Sequence, residues 1–233
     1  MARTLSPTAT PTRFQWLTRL ALYLFLVVGI ASLLVAIFLP VPKKTKPAPP
    51  ASPPGYVLPD FTLIERTGRA ISKTDLQGKV WIASFVFTRC TGPCPSVSAT
   101  MTTLQSELDL ANQADLRLVT FTVDPDRDTP NVLKKYADTF RANPDRWLFL
   151  TGKEAEIHTL LKTGFKIGVN RSTNAQPVEG QEFDHSTYIT VVDKTGTIRG
   201  HFDGYRGPND MNGDRFKESM TALKQLVVDL LKE

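Results

Sequence analysis

The chain has two cysteines, and they stand four apart in Cys90-Thr91-Gly92-Pro93-Cys94. An apolar run from Val80 to Phe87 precedes them. Pro95 then opens a segment with Val97, Met101, Leu104 and Leu108 at helical spacing. Proline suits the first helical turn, where its missing N–H is not needed. The pair is therefore expected at the mouth of a helix, and its four-residue separation puts both sulfurs on one face. The macrodipole and unbonded N–H groups there favour a thiolate, which prepares the pair to ligate a soft metal or to exchange disulfides. A merely stapling disulfide is the weaker alternative, because so short a closed loop contributes only about 2 kcal/mol.

Two thiolates and one imidazole form a soft three-donor set that suits Cu(I), whereas a structural zinc asks for four ligands. No fourth Cys or His stands out. Of the three histidines, His158 lies on an expected helix beside Glu154 and Glu156 and is expected as solvated surface. His201 alternates with Arg199 and Asp203 on the polar side of a strand and is expected there too. His185 opens a strand directly after a polar loop, next to Asp184, which could orient its imidazole. The residues alone leave its role as a ligand open. The acidic run Asp124-Pro125-Asp126-Arg127-Asp128 is not a calcium loop: Thr129 stands where an EF-hand needs Gly, and Lys135 replaces its final Glu. A strand end followed by an Asp or Thr helix cap accounts for the run.

Several elements must position these groups. Val80–Phe87 is nearly all apolar, as in a central strand covered on both faces. A helix over 95–110, a strand over 116–123, a helix from Asp128-Thr129-Pro130 to Phe140, a strand over 147–150 and a helix over 153–165 follow. Residues 168–183 are polar, a long loop or short hairpin of the kind that often carries function. Ser186–Val192 and Thr197–Phe202 flank Asp193-Lys194-Thr195-Gly196 as an antiparallel hairpin. The last helix aligns Phe216, Met220, Leu223, Val227 and Leu230. These alternating units describe a thioredoxin-like α/β fold with a mixed central sheet flanked by helices. They put the cysteines past the C-terminal end of a central strand, where open α/β sheets place their sites.

At 233 residues with 41% hydrophobic content, the chain holds one domain plus an appendage. Its net charge of +5 is misleading. Arg3, Arg13, Arg19, Lys43, Lys44 and Lys46 lie within the first 50 residues with no acid among them, and the remainder is close to balance. No basic stripe with interleaved aromatics exists, which excludes nucleic-acid binding. The uncharged stretch 20–42 is long enough to cross a hydrocarbon core of about 30 Å. It is expected as a single transmembrane helix inserted in the lipid bilayer and retained in the mature protein, since it lacks the brevity and cleavage site of a signal peptide. An organellar transit peptide within the acid-free first twenty residues is the alternative. The expected domains are 1–19, a short N-terminal segment; 20–42, the anchor; 43–55, a Pro/Lys-rich extended linker; and 56–233, the globular domain. Basic residues flank the anchor equally, so the positive-inside rule does not decide the orientation.

Four segments together resemble the Sco/SenC family, also called PrrC, the thioredoxin-like copper proteins of cytochrome oxidase assembly. Pro59-Asp60-Phe61-Thr62-Leu63 with Leu76-Gln77-Gly78-Lys79 resembles the wider thioredoxin and peroxiredoxin superfamily. Phe87 to Pro95 resembles the family's metal loop, Thr122 to Pro130 its second signature, and Asp184-His185-Ser186 its third. The resemblance spans Tyr56 to Leu231. It implies Cys90, Cys94 and His185 as copper ligands, for Cu(I) with a Cu(II) state also within reach. It implies a metallochaperone that delivers copper to the binuclear site of cytochrome c oxidase subunit II, with that subunit or other copper chaperones as partners. The domain would face the periplasm from a bacterial inner membrane. Thr-Gly-Pro between the cysteines resembles thioredoxin's Gly-Pro, so a thiol-disulfide oxidoreductase using Cys90 and Cys94 is the alternative, with a redox or copper sensor third. Against a thioredoxin, no Pro lies at the start of the Ser186 strand. Against a peroxiredoxin, Ala83 and Phe87 occupy the places of its Pro and Thr.

Overall fold

A computed structural model of the chain describes residues 20, 22–31, 55–172 and 178–233, with the backbone alone for Asp184 and His185. Of the expected anchor, residues 20 and 22–31 are helical and the rest lies outside the described residues, as does nearly all of the linker. Among the described residues no helix is long and apolar enough to cross a membrane. The described residues from Gly55 to Glu233 belong to one compact unit.

The strands of that unit are β1 (Tyr56–Val57), β2 (Thr62–Glu65), β3 (Ala70–Ser72), β4 (Val80–Val86), β5 (Leu116–Thr122), β6 (Trp147–Thr151), β7 (Val169–Arg171), β8 (Phe183–His185), β9 (Tyr188–Val192) and β10 (Thr197–Asp203). The helices are α1 (Cys94–Glu107), α2 (Pro130–Thr139), α3 (Glu154–Thr159) and α4 (Asp214–Lys232). Eight strands make one mixed sheet in the order β1-β10-β9-β4-β5-β6-β2-β3, parallel across β4, β5 and β6 and antiparallel elsewhere. Every residue of β4 is buried, as its apolar run requires of a strand covered on both faces. On one face Phe165 meets the rings of Trp81, Phe85 and Phe121 edge-on at 6.0, 4.9 and 5.3 Å. Alternation turns Ser84 and Thr120 the other way. There their hydroxyls share a 2.9 Å hydrogen bond, and Trp147 Nε1 donates to Thr120 Oγ1 at 2.9 Å. Helix α1 lies between α2 and α4, joined to them by Ser98–Tyr136 and by the Lys224–Glu107 ion pair, each 2.8 Å.

Three expected elements differ in ways that have physical reasons. Helix α1 stops at Glu107 because Asp109 adopts a left-handed φ of 49°, which returns Leu108 and Leu110 to the core. The helix expected over 153–165 is α3 followed by a wider π turn, Leu160–Gly164. That turn brings Gly164 so close to Pro59 that a Cβ would sit 3.1 Å from its ring. The polar stretch does form a hairpin, β7 with β8, a separate two-stranded ribbon in which His185 pairs with Val169. His185 therefore ends β8 instead of opening β9. The chain bends at Ser186-Thr187, where Ser186 Oγ accepts from Tyr188 N (3.2 Å) and Thr187 O accepts from Gly204 N (3.1 Å).

Candidate functional site

The loop from Phe87 to Pro93 leaves the C-terminal end of β4 and enters α1 at Cys94. It is tied down by Asp128, the last residue of the acidic run after β5. Buried Asp128 accepts from Thr88 N (3.1 Å), Thr88 Oγ1 (2.5 Å) and Thr122 Oγ1 (2.5 Å), tying the cysteine loop to the end of β5. This corrects the helix-cap expectation. Thr129 occupies the N-cap position of α2 without a side-chain cap bond, and Asp128 is turned inward to the cysteine loop. Burial raises the carboxyl pKa of Asp128, and its hydroxyl and N–H donors oppose that rise.

The two thiols are unlike. Cys90 is partly exposed, Cys94 is fully buried, and no disulfide joins them. The Cys94 thiol donates to Cys90, and with the backbone N–H groups of Cys94 and Gly92 it holds the Cys90 pKa down to about 6, against the opposing effects of burial and of Glu182. Cys94 is pushed up, first by serving as that donor and then by burial. At neutral pH the pair is one thiolate hydrogen-bonded to one thiol at a helix N-terminus.

Of the buried carboxylates, Glu182 acts electrostatically on Cys90. Asp124 is 1% exposed and Glu182 9%, and Asp124 Oδ1 and Glu182 Oε2 are each buried without a hydrogen-bond partner. Arg127 bonds the other Asp124 oxygen at 2.9 Å. An unsatisfied Glu182 oxygen acting on a thiolate favours a nearby cation, and the two sulfurs fit a soft metal such as Cu(I). Among the described residues no three Cys, His, Asp or Glu side chains gather as a metal cluster. The side chain of His185, expected as the third donor, lies outside the described atoms, but its backbone is placed. Phe183, two residues before it, packs against Phe87 at 5.6 Å, and Gly180 O accepts from Thr91 N at 3.2 Å. The strand that carries His185 thus starts against the loop that carries Cys90.

The other two histidines are not solvated surface. His158 is 16% exposed; its Nε2 donates to Val123 O at 2.8 Å, Nδ1 lies 3.5 Å from Glu154, and its ring meets Phe183 edge-on at 5.9 Å. It bridges α3, the end of β5 and β8, contacts 35 and 25 residues away in sequence that no local pattern reveals. His201 is half-buried, with Nδ1 2.7 Å from Thr190 Oγ1, and desolvation lowers its pKa. Sequence reasoning also missed Glu182 and Gly180, whose one visible signal was their place in the polar stretch before His185.

A model of the SCO1/SenC family matches residues 50–218. The chain is 34% identical over 153 residues to a SCO1 protein homolog of Bacillus subtilis, covering 65% of this chain and 76% of that one. It is similar in structure to BsSco, described as a member of the Sco family of cytochrome c oxidase assembly proteins with a disulfide switch. The TM-score is 0.62 at 29% identity, over 77% of this chain and 96% of BsSco. It is also similar to yeast Sco1 with copper bound, with a TM-score of 0.51 at 26% identity, over 72% and 90% of the two chains.

Proposed function

This chain belongs to the SCO1/SenC family, and from that premise we propose that it binds copper and serves cytochrome c oxidase assembly as a metallochaperone. Cys90 and Cys94 hold Cu(I), His185 adds the third ligand, and copper passes to the binuclear site of oxidase subunit II, with another copper chaperone as donor. The observation that carries this reading is the thiolate–thiol pair at the N-terminus of α1, with the buried Glu182 carboxylate acting on Cys90. Cys90 is already ionised at neutral pH and presents a soft donor at the protein surface. Cys94 gives up its proton as it ligates, because a ligating thiol must be a thiolate. Asp128 holds the loop in place throughout. Two sulfurs suffice for near-linear Cu(I); an imidazole and an oxygen donor bring a tetragonal Cu(II) state within reach. No turnover is implied.

Residues 20–42 complete the proposal as a bilayer anchor, with 43–55 as an extended spacer and the domain on the periplasmic side of a bacterial inner membrane. The length of the uncharged stretch supports the anchor, and the periplasmic side rests on the family reading and the two cysteines.

A second reading is favoured by the asymmetry of the thiols. An accessible low-pKa Cys90 and a buried protonated Cys94 are the attacking and resolving pair of a thiol-disulfide oxidoreductase. Cys90 would attack a target disulfide and Cys94 would release the mixed disulfide, leaving the target's copper-ligand cysteines reduced and Cys90–Cys94 oxidised. Titration with Cu(I) tests the first reading. One ion per chain is expected, and none for Cys90→Ser or Cys94→Ser. A parent that binds no Cu(I) while it reduces disulfides rapidly overturns it in favour of the second.

A further inference from the structure

The segment leading into β8 touches the cysteine loop through one unusually close backbone approach. Thr91 N donates to Gly180 O at 3.2 Å, and Arg89 forms an ion pair with Glu179. Between them Gly180 has φ +82°, and a Cβ on it would lie 2.6 Å from Arg89 O, 2.6 Å from Thr91 Cγ2 and 2.8 Å from Thr91 Oγ1. A backbone carbonyl cannot swing aside as a side chain can, so only glycine allows this contact. Arg89 and Thr91 are the two neighbours of Cys90, and four residues separate Gly180 from His185. Phe183 on Phe87 at 5.6 Å and the β7–β8 pairing make the intervening chain a short, tethered connection.

We propose that Gly180 is a positioning residue that seats the strand carrying His185 on the cysteine loop and thereby sets copper affinity without touching the metal. The inference rests on the copper reading above. Gly180→Ala must push the segment off the loop at Arg89 and Thr91, which moves the start of β8. The hydrogen bond between Cys90 and Cys94 is internal to the loop and helix and is left in place.

A double-mutant cycle on the full-length protein in detergent tests this, with Cu(I) affinity measured by competition against a chromophoric chelator. His185→Ala should weaken binding. Gly180→Ala should weaken it by roughly 10–100-fold, the effect of disturbing a group that orients a ligand. The double variant should bind no more weakly than His185→Ala alone, and both thiols should still titrate and form their disulfide. If Gly180→Ala binds like the parent while His185→Ala is weak, the inference is wrong and the copper reading stands. If Gly180→Ala costs the same in both backgrounds, it acts on the cysteines and the inference is again wrong. If His185→Ala costs nothing, the three-ligand copper reading fails and takes this inference with it. Should Gly180→Ala not fold, Glu179→Gln removes only the exposed ion pair. It should cost roughly two- to fivefold in the parent and nothing in His185→Ala, and an equal cost in both backgrounds overturns the inference.

Discussion

Removing the Cys94 thiol should raise the pH at which Cys90 ionises. In the dithiol, Cys90 is lowered from 9.0 to about 6, with the Cys94 thiol as the largest cause and the backbone N–H groups of Cys94 and Gly92 behind it. A hydrogen bond to a charged group is worth about 1.5–3 kcal/mol. Since about 1.4 kcal/mol moves a midpoint by one pH unit, Cys94→Ala should lift it by about 1–2 units. The backbone donors remain and keep the new midpoint below that of an ordinary cysteine. At pH 7 the thiolate fraction should fall from about nine-tenths to between about a half and a tenth, so alkylation should slow by roughly two- to ninefold. Cys94→Ser keeps a hydroxyl that can donate and should fall between parent and Ala variant. Iodoacetamide alkylation followed by mass spectrometry from pH 4 to 10, alongside thiolate absorbance, reads the midpoint. A parent that titrates near 9, or a Cys94→Ala midpoint equal to the parent's, would refute the reasoning: the first denies the thiolate, the second denies that Cys94 sustains it.

Three further outcomes are expected. Asp128→Ala strands Thr88 N–H and the Thr88 and Thr122 hydroxyls, and should cost about 2–4 kcal/mol in denaturant unfolding; a loss below about 1 kcal/mol would mean that water replaces the carboxylate at no cost. Loading with Cu(I) at pH 7.5 should release about one proton per copper, because Cys90 is already ionised and Cys94 is not, with a second from Cys90 appearing as pH falls below about 6; calorimetry in buffers of different ionisation enthalpy counts them, and two protons at pH 7.5 would contradict the assigned thiolate. Alkaline phosphatase fused after Glu233 should be active in a bacterial host, and an inactive fusion with an active cytoplasmic reporter at the same place would reverse the proposed topology.

The central strand, the helix entered at the cysteines and the β9–β10 hairpin were legible in the sequence because each announces itself within a short window. Val80–Val86 is a continuous apolar run, α1 a periodic stripe behind Pro95, and the hairpin two runs around Asp193-Lys194-Thr195-Gly196. The short strands β1, β2 and β3 were not, since two to four residues give no measurable period, and Glu65, charged and 3% exposed, breaks the pattern of β2 while accepting from Thr67 N at 2.7 Å. Cys90 and Cys94 could be placed at a strand end and helix mouth from spacing alone. The inequality of their pKa values could not, because it depends on which sulfur is buried. His158 and His201 were misread for a common reason: acidic and basic sequence neighbours suggested water, whereas their partners, Val123 O and Thr190 Oγ1, come from other elements of the fold. Asp128 was taken for a cap because Asp before Thr-Pro is a common helix start, and its true acceptor role needed Thr88, 40 residues earlier.

Copper transfer tests the account most directly. The copper-loaded full-length protein is mixed with the reduced, copper-free binuclear-site domain of cytochrome c oxidase subunit II, the two are separated, and the metal and free thiols of each are counted. The account predicts that copper moves to the subunit II domain from the parent, and that donors carrying Cys90→Ser, Cys94→Ser or His185→Ala fail to deliver it. A target that stays copper-free while its oxidised form is reduced by Cys90 and Cys94, with His185→Ala as effective as the parent, would contradict the account and leave a thiol-disulfide oxidoreductase in its place.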